Sequence, residues 1–306
     1  MSFQRLFYVR FLLVLLLCLS AVSSASAEWK TRALKNVVYK EVDGKQIKLN
    51  LFLPEDENGN LRENAPLMIW LDSGCWYSGE PGGGGEWASF NPNQRGIALA
   101  SVSTRSLTTD IFPAQIEDVK AAIRFLRAHA AEYHLDKTRF AISGASSGGH
   151  LSLMAGISDE FRLFDVGENL QESSQANVVI DFFGPADFTN IQMSVGYECI
   201  YVVLGDQTRT GRKVEDLSIG LLEQAKKYSP ITYASEKYAP TLILHGTNDW
   251  IVPITHSAVF YQKLHSLGVR CQLYVQNGGE HKVQSLGEAG ALHAMISEFI
   301  GWEELK

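Results

Sequence analysis

Short apolar runs alternate with longer segments of helical periodicity along this 306-residue chain, and this alternation limits its fold more than any other feature. Six apolar runs have the length of buried strands, namely residues 67–71, 97–102, 140–143, 178–183, 241–244 and 272–275. Apolar residues recur at helical spacing over residues 113–133, 147–157, 254–267 and 285–300. Strands that alternate with helices usually pair in parallel and are covered on both faces. The sequence therefore predicts an α/β fold with a mostly parallel central sheet and helices on both faces.

A hairpin precedes the first buried run. Residues 37–42 and 47–53 alternate apolar and polar side chains on either side of the turn at Asp43-Gly44. This pattern is typical of two antiparallel strands with one exposed face. We therefore predict an antiparallel hairpin at the edge of the sheet.

The first 27 residues have the pattern of a signal peptide. Arg5 and Arg10 precede an apolar stretch over residues 11–22, and Ala25-Ser26-Ala27 resembles a cleavage site. The stretch is shorter than the ~20 residues that span a bilayer, although an uncleaved anchor is the alternative. We predict a secreted or periplasmic protein with no membrane span after signal removal, in which residues 28–306 form one domain.

The charge of the remaining chain argues against a nucleic-acid partner. Residues 1–27 contain two of the 27 Lys and Arg residues and none of the 34 Asp and Glu residues, which leaves a net charge of −9. Cys75, Cys199 and Cys271 have no C-x-x-C spacing. They are therefore free thiols or include one bridged pair, and we predict neither a metal site nor a cofactor.

The segment from Phe140 to His150 contains the most informative motif. An apolar strand runs directly into Gly144-Ala145-Ser146-Ser147-Gly148, and a helical pattern follows. In a G-x-S-x-G turn of this kind, the central serine projects above the sheet on a strained strand-to-helix turn. Flanking glycines are needed because side chains there would meet the neighbouring backbone. The motif predicts Ser146 as a nucleophile.

A serine nucleophile needs a histidine and a carboxylate, and both follow later strands. Asp249 lies in the loop after the run at 241–244, and His281 lies after the run at 272–275. The order Ser146, Asp249, His281 is the one expected when loops at the carboxyl ends of parallel strands converge. Asp187 is the alternative acid. His245 precedes the acid loop and is predicted to support that loop rather than to act as the base.

Acyl transfer also needs hydrogen-bond donors for an oxyanion. The main-chain N–H of Ser147 is one candidate. Gly74 and Cys75, in the loop after the run at 67–71, are the others. A glycine run at residues 82–85 follows this loop. We predict that it forms a flap at the mouth of the site.

Several stretches together resemble the α/β-hydrolase superfamily, and within it the bacterial feruloyl- and acetyl-xylan-type esterases related to hormone-sensitive lipase. They are residues 47–54, 112–118, 144–151, 184–187, 228–231 and 240–253. The resemblance extends over essentially the whole chain after residue 27. It implies Ser146 as nucleophile, His281 as general base and acid, and Asp249 as the residue that orients the histidine.

One loop departs from the family pattern. Where these esterases have His-Gly-Gly-Gly/Ala-Trp, this chain has Asp72-Ser73-Gly74-Cys75-Trp76. A carboxylate at Asp72 would repel an oxyanion if it pointed inward. The sequence usually found as Tyr-Arg-Leu after the next strand is likewise altered, to Thr104-Arg105-Ser106-Leu107.

The combined pattern predicts a serine carboxylic-ester hydrolase that acts through an acyl-enzyme. The resemblance implies acetyl or feruloyl groups on a polysaccharide, or related small esters, as substrates. Aromatic side chains near the predicted site are candidates for stacking on the substrate: Trp76, Trp87, Tyr197, Tyr201 and Trp250. Residues 186–227 are predicted to form a cap or side wall. The alternatives are a prolyl-oligopeptidase-like peptidase, a lactone or formamide hydrolase, and a non-catalytic binding module.

Overall fold

The strands and helices of this protein are defined in a computed structural model that describes residues 29–77, 81–82, 84–85, 91–189, 203–204 and 219–305. The strands are β1 (Lys30–Val42), β2 (Lys45–Glu55), β3 (Ala65–Leu71), β4 (Ala98–Val102), β5 (Leu135–Ala145), β6 (Val178–Phe182), β7 (Thr241–Gly246) and β8 (Cys271–Gln276). The α-helices of the described residues are α1 (Ala114–Ala128), α2 (Ser147–Ala155), α3 (Ile219–Lys227), α4 (Thr255–Ser266) and α5 (Ala289–Ile300).

The eight strands form one sheet in the order β1-β2-β4-β3-β5-β6-β7-β8. β2 is antiparallel to β1 and to β4, and the other neighbouring pairs are parallel. The mostly parallel sheet and the edge hairpin are therefore confirmed. In register, Leu71 pairs with Gly144, and Ala145 pairs with Phe182. The loops that follow β3, β5 and β6 consequently meet at one edge of the sheet.

Apolar side chains form a core on each face of the sheet. One cluster joins inward residues of α1, α2 and α4, including Ile123, Leu153 and Phe260. The other contains Leu292 and Ile296 of α5, packed on the opposite sides of the central strands. Successive residues of a strand face opposite sides of the sheet. Because both sides are covered, β3, β4, β6 and β7 are buried along their whole length.

The structure corrects two of the predicted elements. The run at 272–275 was expected to be buried on both faces, but β8 is the outer strand of the sheet and is only partly covered. The helix expected over 285–300 begins at Ala289, because Gly287 has a φ of 142° and interrupts the chain after a short 3-10 turn.

Some predictions fall on residues that the structure does not describe. They concern the signal peptide, most of the predicted side wall at 186–227, Trp87, Tyr197, Cys199 and Tyr201. Of the side wall, the described part includes α3. Within the described residues, no helix has the length and apolarity that crossing a bilayer requires.

Candidate active site

Ser146 occupies the turn between β5 and α2. Its backbone has a φ of 57° and a ψ of −117°, a strained conformation for a residue with a side chain. The Ser146 N–H donates to the carbonyl of Phe182 at 2.9 Å, which ties the turn to the end of the neighbouring strand. The turn thus has the strand-to-helix geometry that the motif predicts.

Two glycines allow this turn to pack closely. A Cβ added to Gly148 would lie 2.2 Å from the carbonyl oxygen of Leu71 and 2.7 Å from that of Asp72. A Cβ on Gly144 would lie 2.4 Å from the backbone of Gly148. Because the blocking atoms belong to the backbone, they cannot move aside as a flexible side chain would. The glycines therefore bring the loop after β3 against the start of α2.

His281 and Asp249 form a hydrogen-bonded pair. The imidazole Nδ1 of His281 lies 2.7 Å from Oδ2 of Asp249, although the two residues are 32 positions apart. The other carboxylate oxygen accepts from the main-chain N–H groups of Ile251 and Val252, both at 2.9 Å. Asp187, the alternative acid, instead accepts hydrogen bonds from its neighbour Thr189. The structure therefore pairs Asp249, rather than Asp187, with the histidine.

A second histidine contacts the same carboxylate. Nε2 of His245, at the end of β7, lies 3.2 Å from Asp249 Oδ2 and 2.8 Å from the carbonyl oxygen of Val252. Burial would raise the pKa of the Asp249 carboxyl, but hydrogen bonds from His245, His281 and Val252 outweigh it and hold that pKa well below its usual range. Asp249 is consequently a carboxylate at neutral pH.

Ser146 and His281 line one cavity of about 460 Å³. Its other lining residues are Trp70, Asp72, Ser73, Gly74, Cys75, Gly85, Ala145, Phe183, Ile251, Lys282, Val283 and Gln284. Sequence reasoning missed Phe183, whose ring centroid lies 4.6 Å from that of His281. Phe183 directly follows β6, so its position at the converging edge of the sheet was the available signal.

The loop after β3 contains Gly74 and Cys75, two of the three predicted oxyanion donors. Gly74, Cys75 and Trp76 have successive φ values of 117°, 53° and 60°, so three consecutive residues lie in the left-handed region. Among the described residues, no acceptor is bonded to the Gly74 N–H. Ser147 is the first residue of α2, where N–H groups have no partner inside the helix. Gly74 and Cys75 thus lie on the cavity wall, and Ser147 begins the helix next to Ser146.

The structure corrects the prediction that Trp76 binds substrate. Its side chain is only 4% exposed and packs in the core. The indole Nε1 donates to Nδ1 of His150 at 3.2 Å, and Nε2 of His150 is bonded to the carbonyl of Tyr228 at 2.8 Å. The indole is therefore buried against α2, where it braces the loop of Gly74 and Cys75 from behind. It cannot stack on a ligand in the cavity.

Gly85 of the glycine run lines the cavity, whereas Trp250 is next to a lining residue in sequence. Trp250 is 58% exposed between Asp249 and the cavity residue Ile251, so its contact with substrate stays a prediction. The backbone of Gly85 packs closely on the indole of Trp70: an added Cβ would lie only 2.0 Å from Nε1. This part of the run is docked on the sheet.

A smaller cavity of about 260 Å³ lies between the first strand and α1. The guanidinium group of Arg105 in its wall is bonded to both carboxylate oxygens of Asp118. Since Ser146 and His281 are elsewhere, the larger cavity is the candidate active site. In the described part of the chain, no group of three or more His, Cys, Asp or Glu side chains is arranged to hold a metal ion.

The sheet order and the strand-to-helix turn that carries Ser146 define an α/β-hydrolase. The BD-FAE family profile matches residues 49–264, and the chain belongs to that family.

Solved structures with the same fold include one named as a carbohydrate esterase. A truncated carbohydrate esterase from gut microbiota superposes with a TM-score of 0.70 at 25% identity, over 91% of this chain and 99% of that one. A bifunctional GH43-CE protein of Bacteroides eggerthii also has a TM-score of 0.70, at 27% identity, over 90% of this chain and 35% of that one.

Curated relatives are similar at lower coverage. A probable carboxylic ester hydrolase, LipM of Mycobacterium tuberculosis, is 26% identical over 78% of this chain and 54% of its own length. A probable isoprenylcysteine alpha-carbonyl methylesterase, ICMEL1 of Arabidopsis thaliana, is 24% identical over 81% of this chain and 50% of its own length. The chain thus spans about half the length of these relatives.

Proposed function

We propose that this protein is a serine carboxylic-ester hydrolase in which Ser146, His281 and Asp249 form the catalytic triad. The observation that carries the proposal is the 2.7 Å contact between His281 and Asp249, with His281 and Ser146 lining the same cavity. The carboxylate orients the imidazole and stabilises its charged form. The strained turn at Ser146 and the loop of Gly74 and Cys75 supply the other parts that acyl transfer needs.

The reaction proceeds through an acyl-enzyme. Ser146 Oγ bonds to the ester carbonyl carbon as its proton passes to Nε2 of His281, and the carbonyl oxygen becomes an oxyanion. Main-chain N–H groups of Ser147, Gly74 and Cys75 bind that oxyanion. When the intermediate collapses, the bond to the alkoxy oxygen breaks and His281 returns the proton to the alcohol. Water then adds to the acyl group with His281 as base, and release of the acid restores Ser146.

The proposed substrates are acetyl or feruloyl esters of a polysaccharide, or related small esters. Two similar structures carry names of enzymes with carbohydrate-esterase domains, and this supports the substrate class by analogy. The pattern of residues 1–27 supports secretion or a periplasmic location, where such polymers are accessible. Trp250 is an exposed ring beside the cavity on which a sugar or aryl acid can stack.

Substitution of Ser146 tests the function. We expect the purified protein to hydrolyse 4-nitrophenyl acetate, and Ser146→Ala to lower kcat by at least about a thousandfold because the nucleophile is lost. The matched control is Ser297→Ala, which removes a buried hydroxyl bonded within α5 and should leave kcat unchanged. Equal melting temperatures would exclude unfolding as the cause.

Labelling and substrate choice distinguish the alternatives. A fluorophosphonate probe should label the native protein and not Ser146→Ala, since it reacts with an activated serine. Absence of both labelling and ester hydrolysis would instead support a non-catalytic binding module. Faster cleavage of a proline-containing peptide, a lactone or a formamide than of acetylated xylan and a feruloylated arabinoside would contradict the ester assignment.

A further inference from the structure

We propose that Asp72 determines specificity, and that it makes the cavity select esters of uncharged, hydroxyl-bearing compounds over esters with a negative charge beside the scissile bond. The inference rests on the proposed esterase function and narrows its substrate class. Asp72 is the first position at which the oxyanion loop departs from the resembled pattern. No part of the proposed catalytic mechanism uses its carboxylate.

Asp72 lies in the wall of the cavity that contains Ser146, the proposed nucleophile. It lines the cavity together with Ser146 and His281. Its main-chain oxygen packs directly against Gly148, two residues after the nucleophile. Because Asp72 precedes Gly74 by two residues, their Cα atoms are at most about 7 Å apart. Asp72 therefore shares the cavity of Ser146 and lies close to a proposed oxyanion donor.

One oxygen of the Asp72 carboxylate accepts a hydrogen bond from the protein, and the other has no donor among the described residues. Oδ1 accepts a hydrogen bond at 2.5 Å from the indole Nε1 of Trp70, which is buried on β3. Oδ2 faces Gly82, where an added Cβ would lie 2.9 Å from it. Nδ2 of Asn50 donates a hydrogen bond to the Gly82 carbonyl at 3.0 Å and so holds Gly82 in place. In the described part of the chain, no group donates a hydrogen bond to Oδ2. A substrate hydroxyl can therefore donate to it.

The charge of Asp72 has no partner in the described wall. No described Lys, Arg or His side chain forms an ion pair with it. The cation that lines the cavity, Lys282, is bonded to Glu280 Oε2 at 3.2 Å. His281 is turned toward Asp249. The described part of the cavity wall therefore presents a negative charge at Asp72.

This charge is large enough to affect specificity. A substrate carboxylate about 8 Å from Asp72 would be disfavoured about twofold at the dielectric constant of water, and about thirtyfold at an effective dielectric constant of about 20. Salt at about 1 M shortens the screening length to about 3 Å and should reduce the effect. The oxyanion that forms at the reacting carbonyl is common to all esters, so only an ester that carries a further negative charge experiences this additional repulsion.

The test compares two acetyl esters of similar shape, 4-acetoxybenzoate and 4-acetoxybenzamide. We expect Asp72→Asn to raise kcat/KM for the anionic benzoate by about twofold to thirtyfold more than for the neutral benzamide, because any effect on the oxyanion is common to both esters. Asparagine keeps an oxygen that accepts from Trp70 Nε1, so the loop should stay in place. In the wild type, raising the salt concentration from 20 mM to 0.5 M should move the ratio of the two rates in the same direction.

The control is Glu57→Gln, which changes the net charge equally. Glu57 is exposed in the turn after β2, and because β2 is antiparallel to β4 this turn lies at the opposite edge of the sheet from the site. The control should not change the ratio. An unchanged ratio in Asp72→Asn, or a salt-independent wild-type ratio, would overturn the proposal while ester hydrolysis continues. If neither ester is hydrolysed and the fluorophosphonate fails to label Ser146, the proposed function itself is contradicted, and this inference with it.

Discussion

At the scale of single residues, His245 lies outside the proposed triad but contacts its acid, Asp249. Nδ1 of His245 lies 2.6 Å from the hydroxyl of Ser257, and Nε2 contacts both Val252 and Asp249. The ring is completely buried, so these contacts hold one orientation. It therefore links β7, the acid loop and α4. The prediction that His245 supports the acid loop agrees with these contacts.

We expect His245→Ala to lower kcat by about tenfold to a hundredfold, because a small displacement of Asp249 misaligns His281. His245→Gln, which can place a donor near the position of Nε2, should recover part of that loss. Steady-state kinetics on an aryl ester would measure both effects. His265→Gln changes an exposed histidine on α4, the helix that carries Ser257, and serves as the control. Full activity of His245→Ala at an unchanged melting temperature would disprove the positioning role.

At the scale of elements, the close approach of the loop after β3 to the start of α2 depends on Gly148. We expect Gly148→Ala to destabilise the protein by about 1–3 kcal/mol and to lower kcat/KM, since its Cβ would lie 2.2 Å from the backbone oxygen of Leu71. The loop would have to move away from Ser146 and would take the oxyanion donors with it. Urea unfolding and ester kinetics would report the two effects separately.

Gly290→Ala is the matched control for that substitution. Gly290 lies in the first turn of α5, and nothing is within 4 Å of the position of its Cβ. Alanine there should leave activity unchanged and should raise the free energy of unfolding by up to about 1 kcal/mol. Equal effects of the two substitutions would contradict the role assigned to close packing at the elbow.

At the scale of the whole molecule, two buried histidines link stability to pH. Burial lowers the pKa of His150 to about 4. Burial also lowers the pKa of His256 to about 4, although the charge of Asp187 opposes it. In the unfolded chain a histidine has a pKa of about 6.5, so between pH 6.5 and 4 the unfolded state binds more protons. Stability is therefore complete above pH 6.5 and declines as the pH falls toward 4.

We expect the free energy of unfolding to fall by up to about 3 kcal/mol for each of these histidines between pH 6.5 and 4. His150→Gln removes one titrating group while keeping a donor for the Tyr228 carbonyl and an acceptor for Trp76. The decline should be correspondingly shallower in this variant, as measured by urea unfolding across that pH range. A slope identical to that of the wild type would show that His150 does not contribute.

The sequence by itself determined the features that depend on local pattern. Apolar periodicity identified the strands and most helices, because the spacing of buried side chains along the sequence depends on whether the segment is a strand or a helix. The glycine spacing around Ser146 marked the turn, since the backbone there leaves no room for a Cβ. Asp249 and His281 were found because both follow strands of a parallel sheet, whose ends converge.

Only the tertiary structure decided which side chains face the cavity. Trp76 follows the proposed oxyanion donors Gly74 and Cys75 in sequence, yet its ring is buried against His150. Phe183, directly after β6, contacts His281 although the two residues are 98 positions apart. The second contact of Asp249, with His245, also depends on how the acid loop folds back. Side-chain direction in a loop is set by packing between elements distant along the chain, and no local pattern records it.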